Sequence, residues 1–218
     1  MAQYEESFGE RHYAALAAAF CRGWLGLPCS TPDETALGKG RAAGLRLHRF
    51  KRTAPLPRVQ RVLGILHGLA PRELLDVGSG RGVFLWPLLD AFSELAVTAL
   101  DVRPDRFAQL EAVSRGGIAR LTAVEANVVA LPFPTDHFDV TCALEVLEHL
   151  PEPAAAAREL MRVSRRAVVV SVPSQPDDNP GHLRCYDQAS LTTLLGDAGA
   201  ANVNVDYVRG HIVAVAMV

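Results

Sequence analysis

The chain reads as an α/β protein: a Rossmann-like sheet of seven strands, parallel with a C-terminal antiparallel hairpin, behind an N-terminal helical cap. Three observations predict it. From Glu73 onward, short apolar runs alternate with segments of helical periodicity, the pattern of parallel strands joined by crossover helices. The first run passes through Asp76-Val77-Gly78-Ser79-Gly80-Arg81-Gly82 into an apolar-periodic stretch, a strand, glycine turn and helix in succession. Finally, Asn202–Tyr207 and His211–Val218 are strand-like runs separated only by a tight turn containing Arg209-Gly210. That turn is too short for a crossover and suits a hairpin.

The elements follow in order. Tyr13 to Leu25 is alanine-rich with Leu16, Phe20 and Trp24 at helical spacing, and Pro28 and Pro32 end it. Glu34 to Arg52 holds Leu37, Leu45, Leu47 and Phe50 but also Gly38, Gly40 and Gly44; this segment reads as a weak helix or a mobile loop. Pro55 and Pro57 punctuate the chain before Val59, Val62, Leu63, Leu66 and Leu69 mark a helix. Strands are expected near 73–77, 96–101, 121–125, 138–143 and 167–172, and helices near 83–92, 104–114, 153–163 and 188–198. Pro104 fits a first helical position, where the missing N–H costs nothing. The expected division is a helical, basic cap over 1–71 and a ligand-binding domain over 72–218.

Composition narrows the class. The chain has 218 residues, about half of them apolar, enough for one domain with an appendage. No uninterrupted apolar run reaches the roughly 18 to 20 residues needed to span a bilayer. The start, Met1-Ala2-Gln3-Tyr4-Glu5-Glu6, carries acids where a secretory signal carries basic residues. Cys21, Cys29, Cys142 and Cys185 are scattered without a C-x-x-C, so neither a disulfide framework nor a zinc site is signalled. A cytoplasmic location is expected. Charge is uneven: between Glu34 and Glu73 there is no acid but nine Lys or Arg, whereas from Glu73 onward 11 Arg face 19 acids. A basic segment before an acidic domain meets either nucleic acid or the chain's own acidic surface.

The glycine turn is the chemical centre. Glycines there let the backbone approach a ligand closely at the carboxyl end of a first strand, where open α/β sheets bind. The dinucleotide fingerprint requires G-x-G-x-x-G, and Val83 occupies its third glycine position. Asp101 ends the second strand, where an ionised carboxylate can accept both hydroxyls of a ribose.

Alternating Gly78, Gly80 and Gly82 behind Asp76 resemble motif I of class I S-adenosylmethionine (SAM) dependent methyltransferases. Three further stretches extend the resemblance in order over about residues 73 to 150. They are Asp101, then Asn127 with Leu131-Pro132-Phe133 leading into Phe138-Asp139, then Glu145-Val146-Leu147-Glu148-His149-Leu150. The parallel sheet closing on a hairpin is the fold of that family. The resemblance implies SAM as methyl donor, with S-adenosylhomocysteine as product, held by Asp76, Gly78, Ser79, Gly80, Asp101, Val102, Asn127, Val128 and Leu144. Asn127 stands where the family commonly has an acid near the adenine amine; its amide oxygen can still accept that bond.

Methyl transfer from an activated sulfonium mainly needs alignment and exclusion of water, and a base only where the acceptor must lose a proton. His149 and His182 are the candidate catalytic groups. His182 lies in the polar loop after the fifth strand with Arg184 and Tyr186. Glu145, Glu148, His149 and His182 also resemble the metal-binding set of small-RNA 3′-end 2′-O-methyltransferases, and some quinone-precursor O-methyltransferases share E-x-x-E-H. The longer histidine-rich stretch of the RNA enzymes is missing, and no metal is assigned. The acceptor expected is a small molecule. The alternatives are RNA on the basic 39–61 segment, a non-catalytic SAM-binding module, and an NAD-dependent oxidoreductase, opposed by Val83 and the terminal hairpin.

Overall fold

The structure is a computed structural model and describes residues 12–52, 56–176 and 178–218. The acidic start at Met1–Glu6 and Pro55 lie outside the described residues. Four helices come first or flank the first strand: α1 (Ala14–Leu25), α2 (Asp33–Ala42), α3 (Pro57–Leu69) and, after β1 (Glu73–Val77), α4 (Leu85–Ala91). Then follow β2 (Ala96–Asp101), α5 (Pro104–Arg115), β3 (Leu121–Glu125), β4 (Phe138–Leu144), α6 (Pro153–Val163), β5 (Ser164–Pro173), α7 (Gln188–Asp197), β6 (Asn202–Val208) and β7 (His211–Met217). Short 3₁₀ turns occupy Leu47–Phe50 and Leu147–His149.

All seven strands form one sheet in the order β3-β2-β1-β4-β5-β7-β6. β1 to β5 are parallel, and β7 runs antiparallel to both β5 and β6. Because side chains alternate across a strand, neighbouring residues enter opposite layers. Leu74, Val97, Ala99, Val140 and Val169 face a core built with the cap, α3, α4 and α5. Leu75, Leu100, Ala143, Val168 and Val170 face a second core with α6 and α7. Burial on both faces is why these strands read as continuous apolar runs.

Helix starts follow local chemistry. Pro57, Pro104 and Pro153 occupy first-turn positions of α3, α5 and α6. Asp187 caps α7 by accepting from the Ser190 N–H at 2.8 Å in a reciprocal capping box. The segment read as a weak helix or mobile loop is ordered structure: α2 spans ten residues, and Leu47–Phe50 turns so that Phe50 is fully buried. Its glycines are absorbed by packing, with Gly40 set tightly against the Cys21 side chain. The buried Arg22 ties the cap down, donating to the Gly116 carbonyl at 2.7 Å, the Thr31 carbonyl at 3.0 Å and Asp33 at 2.6 Å. Among the described residues no helix is long and apolar enough to cross a membrane.

Candidate active site

The site forms where strand order reverses, between β1 and its two neighbours β2 and β4, which is where open α/β sheets leave a crevice. Beyond Val77 the chain turns through Gly78 (φ +71°), Gly80 (+55°) and Gly82 (+81°), left-handed conformations that favour glycine. Gly78 is also needed for space: a Cβ there would stand 2.6 Å from a Val146 methyl. Backbone hydrogen bonds fix the turn. The Gly78 and Ser79 amides donate to the Leu100 carbonyl at 2.8 and 3.1 Å. The Gly80 amide donates to Asp101 Oδ2 at 2.9 Å, and the Arg103 amide to Oδ1 at 3.0 Å. Asp101 therefore both anchors the loop and keeps further lone pairs on each oxygen for a ligand's hydroxyls.

A cleft of ≈ 180 Å³ lies above this loop, lined by Asp76, Gly78, Ser79, Gly80, Leu144 and Glu145, with Arg58 and Val59 of α3 opposite. Asp76 is 2% exposed, and its Oδ2 has no hydrogen-bond donor among the described residues. Burial pushes its carboxyl up to about 7; a bond from Ser79 opposes this, and the neighbouring Asp101 charge reinforces it.

Three ionisable groups in or beside the cleft were not among the expected cofactor residues. Glu145 has φ +58°, an unusual backbone for a residue with a side chain. Its carboxylate accepts from the Ser171 hydroxyl at 2.7 Å, and it lies 3.1 Å from His211 Nε2 and 3.6 Å from Arg58 Nε. Arg58 arrives from the cap and His211 from the start of β7, so no local spacing announces their meeting. Only Glu145 carried a signal, its place directly after β4.

The remaining expected cofactor residues are arranged around the same edge. Val102 is exposed just past β2, and Val128 is buried in the second core. The Asn127 side chain is exposed, and its oxygen accepts from the Val129 amide at 3.2 Å, so it shapes its own turn as well as being open to a ligand. The Leu131-Pro132-Phe133 stretch is held from below. Glu159 accepts from the Leu131 amide at 2.7 Å, and Arg162 donates to the Phe133 and Leu131 carbonyls at 2.8 and 3.2 Å.

His149 and His182 do meet, with rings edge to face at 4.7 Å between centroids, but neither lines the cofactor cleft. His149 Nδ1 donates to the Gly181 carbonyl at 2.8 Å, and the Asn179 amide donates to His182 Nε2 at 3.0 Å. The fully buried Glu148 completes a trio whose possible ligand atoms lie within 4.8 Å of one another, donor types that suit a divalent ion. Glu145 is not part of this trio.

Residues 75–171 match the model of a family described as a methyltransferase domain. An uncharacterized methyltransferase of Mycobacterium leprae is 35% identical over 150 residues, which cover 66% of this chain and 51% of that protein. The chain thus spans about half the length of the relatives it matches. Solved structures share the fold. A SAM-dependent methyltransferase from Aquifex aeolicus has a TM-score of 0.58 at 20% identity, covering 76% of this chain and 99% of that one. Magnesium protoporphyrin IX methyltransferase from Synechocystis PCC 6803, solved with bound S-adenosylhomocysteine, has a TM-score of 0.58 at 19% identity, covering 73% and 81%. Fold and site geometry define an open α/β domain with a cleft at the reversal point of its sheet. Residues 75–171 are thus similar to a methyltransferase domain, on the fold that the SAM-dependent methyltransferase from Aquifex aeolicus also has.

Proposed function

We propose that the chain transfers the methyl group of SAM to a small-molecule acceptor. The observation that carries this reading is the cleft itself, whose charges are laid out for SAM. Asp101 stands at the second strand's end for the ribose. At the opposite side Arg58 and Glu145, 3.6 Å apart, offer one charge of each sign to the zwitterionic methionyl end, with Asp76 as a further anion for its ammonium. The protein's part is then to align donor and acceptor and to exclude water.

A second cavity supports the small-molecule acceptor. It has ≈ 260 Å³, is lined by Tyr13, Leu56, Leu63 and Pro87 among others, and shares Val59 and Val83 with the cofactor cleft. Its polar rim is set by Arg52, which pairs bidentately with Asp90 at 2.8 Å and stacks on Tyr13. Convergent polar groups around an apolar pocket are typical of small-ligand sites. Of the eight Lys and Arg between 39 and 61, three are paired with acids of the sheet domain: Arg52 with Asp90, Arg58 with Glu145, Arg61 with Asp206.

The test is calorimetric titration of the full chain with S-adenosylhomocysteine and with NAD, followed by methyl transfer from labelled SAM into metabolite and RNA pools. S-adenosylhomocysteine should bind, NAD should not, and label should enter the metabolite pool. Label only in RNA would replace the acceptor, binding without any labelled product would favour a non-catalytic module, and binding of NAD alone would overturn the reading.

A further inference from the structure

Four basic side chains converge on one cavity beside the cofactor cleft. The cavity has ≈ 180 Å³, lies between the cap and the glycine loop, and is lined by His48, Arg49, Lys51 and Arg81 with Tyr13 and Trp86. No acid lines it. Among the described residues, Arg49, Lys51 and Arg81 show no carboxylate within ion-pair distance, unlike Arg52, Arg58 and Arg61 of the same basic segment.

Arg49 is the most telling of them. Its guanidinium stacks over the Phe20 ring at 5.3 Å, which accounts for its planar face. Its Nε is buried with no acceptor among the described residues, and a buried donor of that kind is costly to leave unmade. Burial first, and then the charges of Arg106 and Arg81, hold the guanidinium below its ordinary value. Only Asp105 opposes them, and that carboxylate is already bonded by Arg103 at 2.9 Å. Like charges gathered at one cavity are stabilised by an arriving anion.

The position says what the anion belongs to. This cavity shares Arg81 and Val83 with the cofactor cleft, and Tyr13, Val83 and Pro87 with the apolar cavity beside Leu56 and Leu63. Val83, 53% exposed, is common to all three. The Arg81 carbonyl is fixed by the Trp86 indole N–H at 3.0 Å, so the loop bearing this cation is held in place. We propose that His48, Arg49, Lys51 and Arg81 form a subsite for a carboxylate or phosphate group of the methyl acceptor, whose apolar body occupies the adjoining cavity. This rests on the small-molecule reading above. Guanidinium forks suit both groups, because each offers paired acceptor oxygens.

The experiment titrates the full chain, saturated with S-adenosylhomocysteine, with inorganic phosphate and separately with succinate at constant ionic strength, read by calorimetry. One saturable site is expected for at least one anion, and the tighter of the two names the group. Arg49→Gln and Lys51→Gln should each weaken it about tenfold, the loss of a charge-assisted bond. Arg46→Gln, outside the cavity, should leave it within about twofold. S-adenosylhomocysteine affinity measured on each variant reports whether it is folded, and exposed Lys51 keeps the test open should Arg49→Gln not fold. Absence of saturable binding by either anion, or binding unchanged in every folded cavity variant, overturns the subsite. An oligoribonucleotide of about ten nucleotides that binds far more tightly than either anion, and loses affinity steeply with salt, overturns it in favour of RNA. Because the cofactor is bound beforehand, failure here leaves the methyltransferase reading standing, whereas failure of that reading shows as no S-adenosylhomocysteine binding at all.

Discussion

The two ends of the sheet's carboxyl edge are built differently. At the β1–β2 end, the glycine loop is fixed by main-chain amides donating to the Leu100 carbonyl and to Asp101. At the β4–β5 end, position depends on side chains. Glu145 is held by Ser171, His211 and Arg58, and His149 by the Gly181 carbonyl. Backbone bonds to a buried carboxylate set the geometry of the first end before any ligand arrives. The second end is a charge network, and its geometry can follow the charge of whatever binds. The proposed methyl transfer would use both, a constant seat for the donor and an adaptable neighbourhood for the acceptor.

The sharpest way to break this contrast is Asp101→Ala. The substitution removes the acceptor of two backbone amides, each a bond to a charged group, as well as the proposed ribose contact. S-adenosylhomocysteine affinity should fall about 100-fold. A calorimetric loss below about threefold would show that the loop stands without its carboxylate and that the assigned ribose contact is wrong.

This contrast also explains what the sequence could disclose. The strands, the helices of the sheet domain and the hairpin were legible because apolar periodicity is local. The glycine turn and Asp101 were legible because a left-handed backbone after a strand favours glycine and the carboxylate ending the next strand takes up the turn's amide. Arg58 and His211 were not, since they reach Glu145 from the cap and from β7, and such meetings are fixed only by topology. The same holds for Arg22, whose bond to the Gly116 carbonyl spans 94 residues. The segment from Glu34 to Arg52 was undecided for another reason. Its glycines argue against a helix in isolation, and packing against α1 overrides that propensity.

A smaller effect sharpens the comparison through pH. Asp76 titrates near 7 in the fold, above the ordinary carboxylate value of 3.8, because burial disfavours its charge. The folded chain therefore holds more protons than the unfolded chain between those values, and Asp76 alone makes stability fall as pH rises through that window. Binding has the opposite sign. A cofactor ammonium favours ionised Asp76, so S-adenosylhomocysteine should bind several-fold more tightly at pH 8 than at pH 6. Asp76→Asn should flatten that dependence. A slope unchanged in the variant would assign the titration to another group.

The least effect is expected at the adaptable end. His182 lies outside the cofactor cleft, paired edge to face with His149 and near Glu148. The donor is already activated, so a proton acceptor there assists the acceptor alone. His182→Ala should thus leave S-adenosylhomocysteine affinity within about twofold and lower turnover by several-fold with the acceptor found in the pool assay. Turnover equal to the parent's would remove His182 from acceptor handling and leave the trio a structural corner. A fall in cofactor affinity as large as the fall in turnover would mean that the β4–β5 end helps to seat the donor, and the division between the two ends would fail.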